Sequence, residues 1–256
     1  MRRIFIAVLV FVVPVWLMVP LTNHIHAERQ SLKYGGANVN RKMRLEIGQG
    51  MAIALLAGFR GVVSDFLWIQ GHNYWEKKQW LRQYQKMKQV VTLQPQSTTF
   101  WDSGAWHMAW NIGYAVSVDT NVYTEAQAIR RQHEWWERAE EYLKDGIENV
   151  PNKYDLYFSL AWLYKEKFKD DCLAEQYFAK AAAFPEAPNY VARMEARSRE
   201  KCGDLRGAYN YWVDIWANHR DKSDQPWNIV EREIRRLEDL MNIPNDQRVF
   251  PKPASQ

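Results

Sequence analysis

Small and aromatic residues recur at fixed spacing in two segments of the C-terminal half. A small, an aromatic and a small or aliphatic residue stand at offsets of zero, four and seven in both segments: Ala174, Phe178 and Ala181, then Ala208, Trp212 and Ile215. Corresponding positions are 34 residues apart. Because offsets of three and four residues share one face of an α-helix, the repeat predicts stacked helices with these residues at their interfaces.

The pattern continues toward the N-terminus. A helical face upstream of the first segment comprises Tyr157, Leu160, Ala161 and Tyr164, and a further second-helix pattern comprises Ala139, Leu143, Gly146 and Pro151. The partner helix of the latter is predicted over 101–116, and an insertion over 117–124 separates the two. The earliest unit is predicted to pair a helix that includes residues 59–75 with one that ends before Pro95.

These motifs resemble the tetratricopeptide repeat (TPR). The family pairs a first helix carrying an aromatic residue, Leu-Gly or Leu-Ala and Tyr with a second helix carrying Ala, an aromatic residue and Ala, and Pro follows. The resemblance covers roughly residues 55–220. It implies an all-α fold, an α-solenoid of about four TPR-like helix pairs over 48–223, and a surface that binds proteins.

The end of the chain predicts a capping helix over 224–242. Asp224 can cap its start, Pro226 lies near its first turn, and an apolar stripe comprises Trp227, Val230, Ile234 and Leu237. Such a helix covers the apolar face that a last repeat would otherwise expose. Residues 243–256 are predicted to form a flexible tail.

The N-terminal segment predicts a membrane anchor. Arg2 and Arg3 precede 18 residues, 4–21, that carry no charge. A helix of about 17–25 apolar residues spans a bilayer, whereas signal-peptide apolar cores are usually about 7–15 residues long. We therefore expect a transmembrane anchor over 1–22, with a signal peptide cleaved after Ala27 as the alternative. Residues 23–47 are polar and predict a linker.

A second apolar stretch, over 55–70, contains two charges, Arg60 and Asp65. A charge at the centre of a bilayer costs at least about 2.5–3.5 kcal/mol, which argues against a second span. The stretch predicts a mostly buried helix of the soluble body, in which Arg60 and Asp65 are structural residues with partners on different neighbours.

The N-terminal arginines favour a cytoplasmic N-terminus, although Arg29, Lys33 and Arg41 after the span weaken the contrast. We expect a single-pass protein of the bacterial inner membrane whose body is periplasmic. The formal net charge of +4 is mild, which argues against nucleic acid as a partner. Protein partners are expected, and a glycan is the alternative.

Chemical motifs are few. No spacing typical of a metal site, a nucleophile or a phosphate loop occurs, so we expect no catalytic residue, cofactor or metal. Cys172 and Cys202 could form a disulfide if the body is exported, or remain free thiols in a reducing compartment.

The chain holds 13 tryptophans, many of them in the first half of the body. Most are expected in the core between helices, and some could anchor a partner. The candidate partner-binding residues are Trp106, Trp110, Tyr123, Trp135 and Trp136. We expect Trp135 and Trp136 to include an exposed ring, because adjacent residues on a helix cannot both face the core.

Two functions remain open. The first is a membrane-tethered, non-enzymatic interaction scaffold or assembly factor of the cell envelope. The second is a peptidoglycan- or polysaccharide-binding module that serves an envelope enzyme. A sugar site would use polar groups near Trp110, for which Asn111, Asp119 and Asn121 are the candidates.

Overall fold

The computed structural model describes residues 58–218 and 226–252. All regular elements within these ranges are helical: α1 (Arg60–Glu76), α2 (Trp80–Leu93), α3 (Thr98–Trp106), α4 (Gly113–Ser117), α5 (Glu125–Asn149), α6 (Tyr154–Leu163), α7 (Asp171–Ala182), α8 (Asn189–Lys201), α9 (Leu205–Asn218) and α10 (Trp227–Leu240). Two π-helical segments and one 3₁₀ helix, Asn245–Gln247, accompany them. His107–Ile112 joins α3 to α4, and Tyr164–Phe168 extends α6.

The chain divides into two compact units, Met1–Gln96 and Ser97–Gln256, where the sequence predicted one domain over 48–223. The described part of the first unit is the pair α1 and α2. Lys78, with a φ of 54°, lies in the three-residue turn between these helices. Gly71 lies on the buried face of α1, and a Cβ added there would stand 3.5 Å from the Cβ of Lys86 on α2. The two helices therefore pack closely.

The prediction that α1 is mostly buried was wrong. Asp65 is exposed and Arg60 is half-buried, while only one face of α1 is buried, at Ser64, Leu67 and Gly71. The apolar character that predicted burial extends over the opposite, exposed face as well.

The second unit consists of antiparallel helix pairs. Early α3 meets late α5 at Trp101 and Gly146, and Gly113 of α4 meets Trp136 nearer the start of α5. The ring of Phe158, early in α6, lies 5.5 Å from that of Phe178, late in α7. The pairs α3–α4/α5, α6/α7 and α8/α9 therefore follow one another in the TPR-like arrangement that the sequence predicts.

The residues that carry the repeat pattern lie in the core. Ala174, Phe178, Ala181, Ala208 and Trp212 are fully buried in α7 and α9. Small residues alternate with large rings on these helices, which lets adjacent helices approach while the rings fill the space between them.

Local side-chain contacts fix where several helices begin. Thr124 accepts a hydrogen bond from the backbone N–H of Gln127, whose side chain accepts one from the N–H of Thr124, so α5 begins with a capping box. Asp170 accepts the backbone N–H of Leu173 at 2.8 Å and caps α7. Asp204 accepts the N–H of Gly207 at 2.8 Å at the start of α9.

The C-terminal helix α10 packs on α9. Val230, Ile234 and Leu237 are fully buried with Trp212 and Ile215 in one cluster. The helix begins at Trp227, with Pro226 at its N-cap, and the predicted cap Asp224 lies outside the described residues.

Residues 243–252 are packed against α10, whereas the sequence predicted a flexible tail from residue 243. The carboxylate of Glu238, fully buried, accepts the backbone N–H of Val249 at 2.6 Å and that of Phe250 at 3.4 Å. Arg248 binds Asp239 at 2.5 Å. A buried carboxylate and an ion pair therefore hold this segment, and neither is visible in the polar composition of the tail.

The predicted anchor over 1–22 and the linker over 23–47 lie outside the described residues. Within the ranges that the structure describes, no helix is both long enough and apolar enough to cross a bilayer.

Candidate partner-binding surface

The most exposed aromatic residues of the second unit lie along its first long helix. Trp106, Trp110, Tyr114 and Val118 recur every four residues from α3 to the end of α4. We call these four residues the aromatic stripe. A regular α-helix of 3.6 residues per turn would rotate each of them about 40° past the one before, so the set would spiral around the axis.

The π-helical segment His107–Ile112 keeps the stripe on one face. Within it, the N–H of Gly113 donates to the carbonyl of Met108, five residues back. Such wide turns hold more residues than an α-helical turn, which brings the local repeat closer to four residues per turn. The result is an apolar face whose members are 49% to 66% exposed at Trp106, Val118 and Tyr114, with Trp110 half-buried between them.

The first helix of the next pair runs parallel to this one. The Ser159 hydroxyl of α6 donates to the Asp102 carboxylate of α3. Farther along, the Lys167 ammonium lies 4.8 Å from the ring centroid of Trp110. Both contacts join residues 57 positions apart, so α3 and α6 lie side by side in register.

The second π-helical segment, Tyr164–Phe168, brings Lys167 and Phe168 to this surface. Phe168 makes edge contacts with His133 at 5.4 Å and Trp136 at 6.1 Å. Lys169 ends the segment in the left-handed conformation, with a φ of 57°. The two irregular segments therefore meet at Lys167 and Trp110, and π-helical turns are frequent at functional sites.

Trp136 supports the stripe from behind. A Cβ at position 113 would stand 3.0 Å from Nε1 of Trp136, so this ring packs directly on the backbone of α4. The side chain of Gln132, one turn earlier in α5, donates to the Gly113 carbonyl at 3.3 Å. The second helix therefore fixes the position of the stripe.

The pKa values of Asp102 and Lys167 at this surface, and of the buried Tyr164 behind it, are shifted. Burial raises the pKa of the Asp102 carboxyl, an effect that the Ser159 hydrogen bond opposes. Burial, with a smaller contribution from Lys169, lowers the pKa of the Lys167 ammonium. Burial and a 2.6 Å hydrogen bond to Glu140 raise the pKa of Tyr164 to about 12. A negative group and a positive group thus flank the aromatic rings, which suits a partner with both apolar and charged side chains.

The predicted binding residues do not all lie on one surface. Trp106, Trp110 and Trp136 lie together as described, and Tyr123 is half-buried in the loop before α5. Trp135 is 5% exposed and faces the core, so its assignment as a binding residue was wrong. Of the adjacent pair, Trp136 is the less buried ring, because α5 turns position 135 toward the core between helices.

The polar residues proposed for a sugar site lie partly in the helix and partly in the loop that follows it. The Asn111 side-chain amide lies 2.8 Å from Nδ1 of His107, within the helix. Asn121 is exposed in the loop after α4, and Asp119 is half-buried there. The backbone carbonyl of Asp119 accepts the N–H of Tyr123 at 3.1 Å.

Cys172 and Cys202 form a disulfide between the start of α7 and the residue that ends α8. Their separation along the chain is 30 residues, and a short loop joins the two helices at the other end. The bond therefore closes the open end of an antiparallel helix pair.

Sequence reasoning missed Tyr114, Val118 and Lys167. The four-residue spacing from Trp106 through Tyr114 was a signal for the first two, but a regular α-helix would have rotated them off the face. Nothing in the sequence indicated that Lys167 would lie over Trp110, since that contact depends on the parallel packing of α3 and α6.

The described residues contain no group of three His, Cys, Asp or Glu side chains arranged to hold a metal ion.

Comparison with known proteins gives little. No protein-family model matches the chain, and no curated protein matches it. The crystal structure of TTC0263, a thermophilic TPR protein in Thermus thermophilus, matches 68% of this chain and 98% of that chain, with 15% sequence identity and a TM-score of 0.35. A match at this level does not establish a common fold. The TPR-like description of this protein depends on its helix pairs alone.

Proposed function

We propose that this protein is a membrane-tethered, non-enzymatic scaffold or assembly factor of the bacterial cell envelope. It binds a protein partner through the aromatic stripe and the adjoining side chains of α6. The observation that carries the proposal is the stripe itself, four large apolar residues that a π-helical segment keeps on one face.

Energetic arguments support a protein partner. Binding energy at protein interfaces concentrates in Trp, Tyr and Arg side chains that become desolvated at the centre of the contact. Trp106 and Tyr114 have the exposed area to become buried in this way, and Trp136 and Gln132 hold the helix that carries them. A surface prepared in this manner loses little side-chain freedom on binding.

The envelope location has separate support. An uncharged segment of 18 residues lies near the N-terminus, long enough to span a bilayer. The disulfide between Cys172 and Cys202 belongs to proteins of oxidising compartments, such as the periplasm. Together they favour an inner-membrane anchor with the body outside the cytoplasm.

Photo-cross-linking tests the partner site. The full-length protein, tagged after residue 256, carries a benzophenone amino acid at position 114 and is irradiated in native membranes. We expect a discrete cross-linked protein that the variants Trp106→Ala and Val118→Ala reduce. The matched control places the benzophenone at position 240, where Leu240 is also about half exposed but lies on α10.

Three outcomes would contradict the proposal. Equal cross-linking from positions 114 and 240 would show nonspecific capture, and none from position 114 would leave the stripe without a protein partner. Recovery of cell-wall polysaccharide instead of protein would favour the glycan-binding alternative. Protease treatment of spheroplasts tests the orientation, since a periplasmic body predicts loss of the C-terminal tag.

A further inference from the structure

A second apolar stripe, separate from the aromatic stripe, lies on α1. It comprises Phe59, Val62, Phe66 and Ile69, which are 57% to 67% exposed. Successive residues of an α-helix are about 100° apart, so these four side chains fall within about 80° of one another. We call them the α1 stripe.

The α1 stripe lies opposite the packed face of the helix. Ser64, Leu67 and Gly71 are buried, and Gly71 packs against α2. An α-helix that packs on one neighbour ordinarily presents polar residues on its other side. The helix α1 instead presents aromatic and branched aliphatic side chains, and exposed apolar faces of this kind mark contact sites.

The sequence of the first unit is rich in basic residues. Residues 1–96 contain 13 Lys and Arg and 4 Asp and Glu, whereas residues 97–256 contain 21 Lys and Arg and 26 Asp and Glu. The first unit therefore carries a formal charge of +9 and the second a formal charge of −5. The mild net charge of the whole chain conceals this asymmetry.

The positive charge continues directly beside α1. The helix α2 contains three basic residues, Arg82, Lys86 and Lys88, and no acidic residue, while Lys77 and Lys78 occupy the turn before it. Lys77 and Lys78, directly after α1, are the basic residues that can meet lipid phosphates when the apolar side chains enter the bilayer interface, whereas the basic residues of α2 lie on the packed side of α1 and add only to the charge of the unit.

The position in the chain favours the same occupant. The α1 stripe begins at Phe59, 38 residues after Leu21, the last residue of the uncharged N-terminal segment. A chain anchored through that segment keeps α1 at high effective concentration near the bilayer, so even weak surface binding is populated.

We propose that the α1 stripe docks on the surface of the membrane that holds the anchor, with anionic lipid as its preferred partner. This inference builds on the tethering in the proposed function, but the contact between α1 and lipid is a separate claim.

Depth-dependent fluorescence tests the docking. Full-length protein with Phe66→Cys is labelled with an environment-sensitive dye and reconstituted into vesicles of phosphatidylethanolamine and phosphatidylglycerol, with nitroxide-bearing lipids as quenchers. The matched control carries the dye at Leu240→Cys, and protein without an added cysteine measures background labelling at Cys172 and Cys202, which the disulfide should keep low. We expect quenching severalfold stronger at position 66 than at position 240.

The charge and apolar contributions are tested separately. Replacing phosphatidylglycerol by phosphatidylcholine, or raising the salt concentration, should weaken quenching at position 66. Ile69→Asp should do the same, and circular dichroism with unchanged quenching at position 240 verifies that the fold is retained. The control variant Ile69→Val, which keeps the apolar surface, should leave quenching at position 66 near the original value.

The results distinguish docking from tethering. Equal quenching at positions 66 and 240 in protein that resists alkaline extraction would overturn docking and leave the anchor intact. Strong quenching at position 66 in protein that alkali removes would support docking and contradict the anchor. A dye at position 66 that is shielded from water yet unaffected by nitroxide lipids would also overturn docking, because a second copy or another part of this chain would then cover the stripe.

Discussion

Opening the disulfide between Cys172 and Cys202 should destabilise one helix pair by a calculable amount. The bond spans 30 residues, from the start of α7 to the end of α8. Loop-closure entropy for a cross-link of this length corresponds to about 3.7 kcal/mol at 25 °C. Since interactions in repeat proteins are mainly between neighbours, the loss should be concentrated in α7 and α8.

Peptide-level hydrogen exchange measures this local loss. The full-length protein in detergent micelles is compared before and after reduction, with free thiols counted by alkylation. A loss of about 3.7 kcal/mol raises the exchange rate of the slowest amides in α7 and α8 roughly 500-fold, if those amides exchange by opening of this pair. Amides in α5 should change much less.

The double variant Cys172→Ser with Cys202→Ser provides the matched control. It should exchange like the reduced protein and should not respond to reductant. Unchanged exchange in α7 and α8 after complete reduction would refute the reasoning, because the bond would then contribute nothing that the packing of the pair does not already supply. A uniform increase across every helix would refute the local part of the argument.

Four further substitutions test the packing and two buried carboxyl groups. Gly104→Ala places a Cβ 2.7 Å from the buried Tyr142 ring, so thermal unfolding should show a loss of about 1–3 kcal/mol, whereas Gly71→Ala, with its nearest contact at 3.5 Å, should be neutral or stabilise by up to about 1 kcal/mol. Glu238→Ala removes the acceptor of two backbone N–H groups, so limited proteolysis should cut residues 243–252 sooner; equal cleavage would contradict the assignment. Burial raises the pKa of Glu195, so its contribution to stability is greatest at acid pH and declines as pH rises through that pKa. Measured by urea unfolding, the free energy of unfolding of the wild type should fall relative to that of Glu195→Gln as pH rises over that interval. The same pH dependence in both proteins would contradict this assignment.

The repeat register could be predicted from the sequence because it is a local property. Ala174, Phe178 and Ala181 share one helix face whatever surrounds them, and that face is the buried one. The alternation of small and large residues is required wherever two helices pack closely, so it leaves a pattern that a reader of the sequence can detect.

The binding surface was only partly predictable, because it depends on neighbours. Whether Trp135 or Trp136 faces the core is decided by the way α5 packs on α3 and α4. The π-helical segments have no spacing rule that the sequence shows, and without them Tyr114 does not share a face with Trp106. The side of α1 that carries Phe66 looks as apolar as the packed side, so the sequence predicted burial for both.

The π-helical segment between α3 and α4 also makes the binding face tolerant of the loss of one residue. Deleting one residue within His107–Ile112 would allow an unbroken α-helix to form. Tyr114 would then follow Trp106 by seven residues and Val118 would follow it by eleven, which at about 100° per residue places both within about 20° of Trp106. An α-helix of the original length would instead turn Tyr114 about 80° and Val118 about 120° away from Trp106. The π-helical segment therefore absorbs one residue of chain length while the side chains that follow it keep their direction.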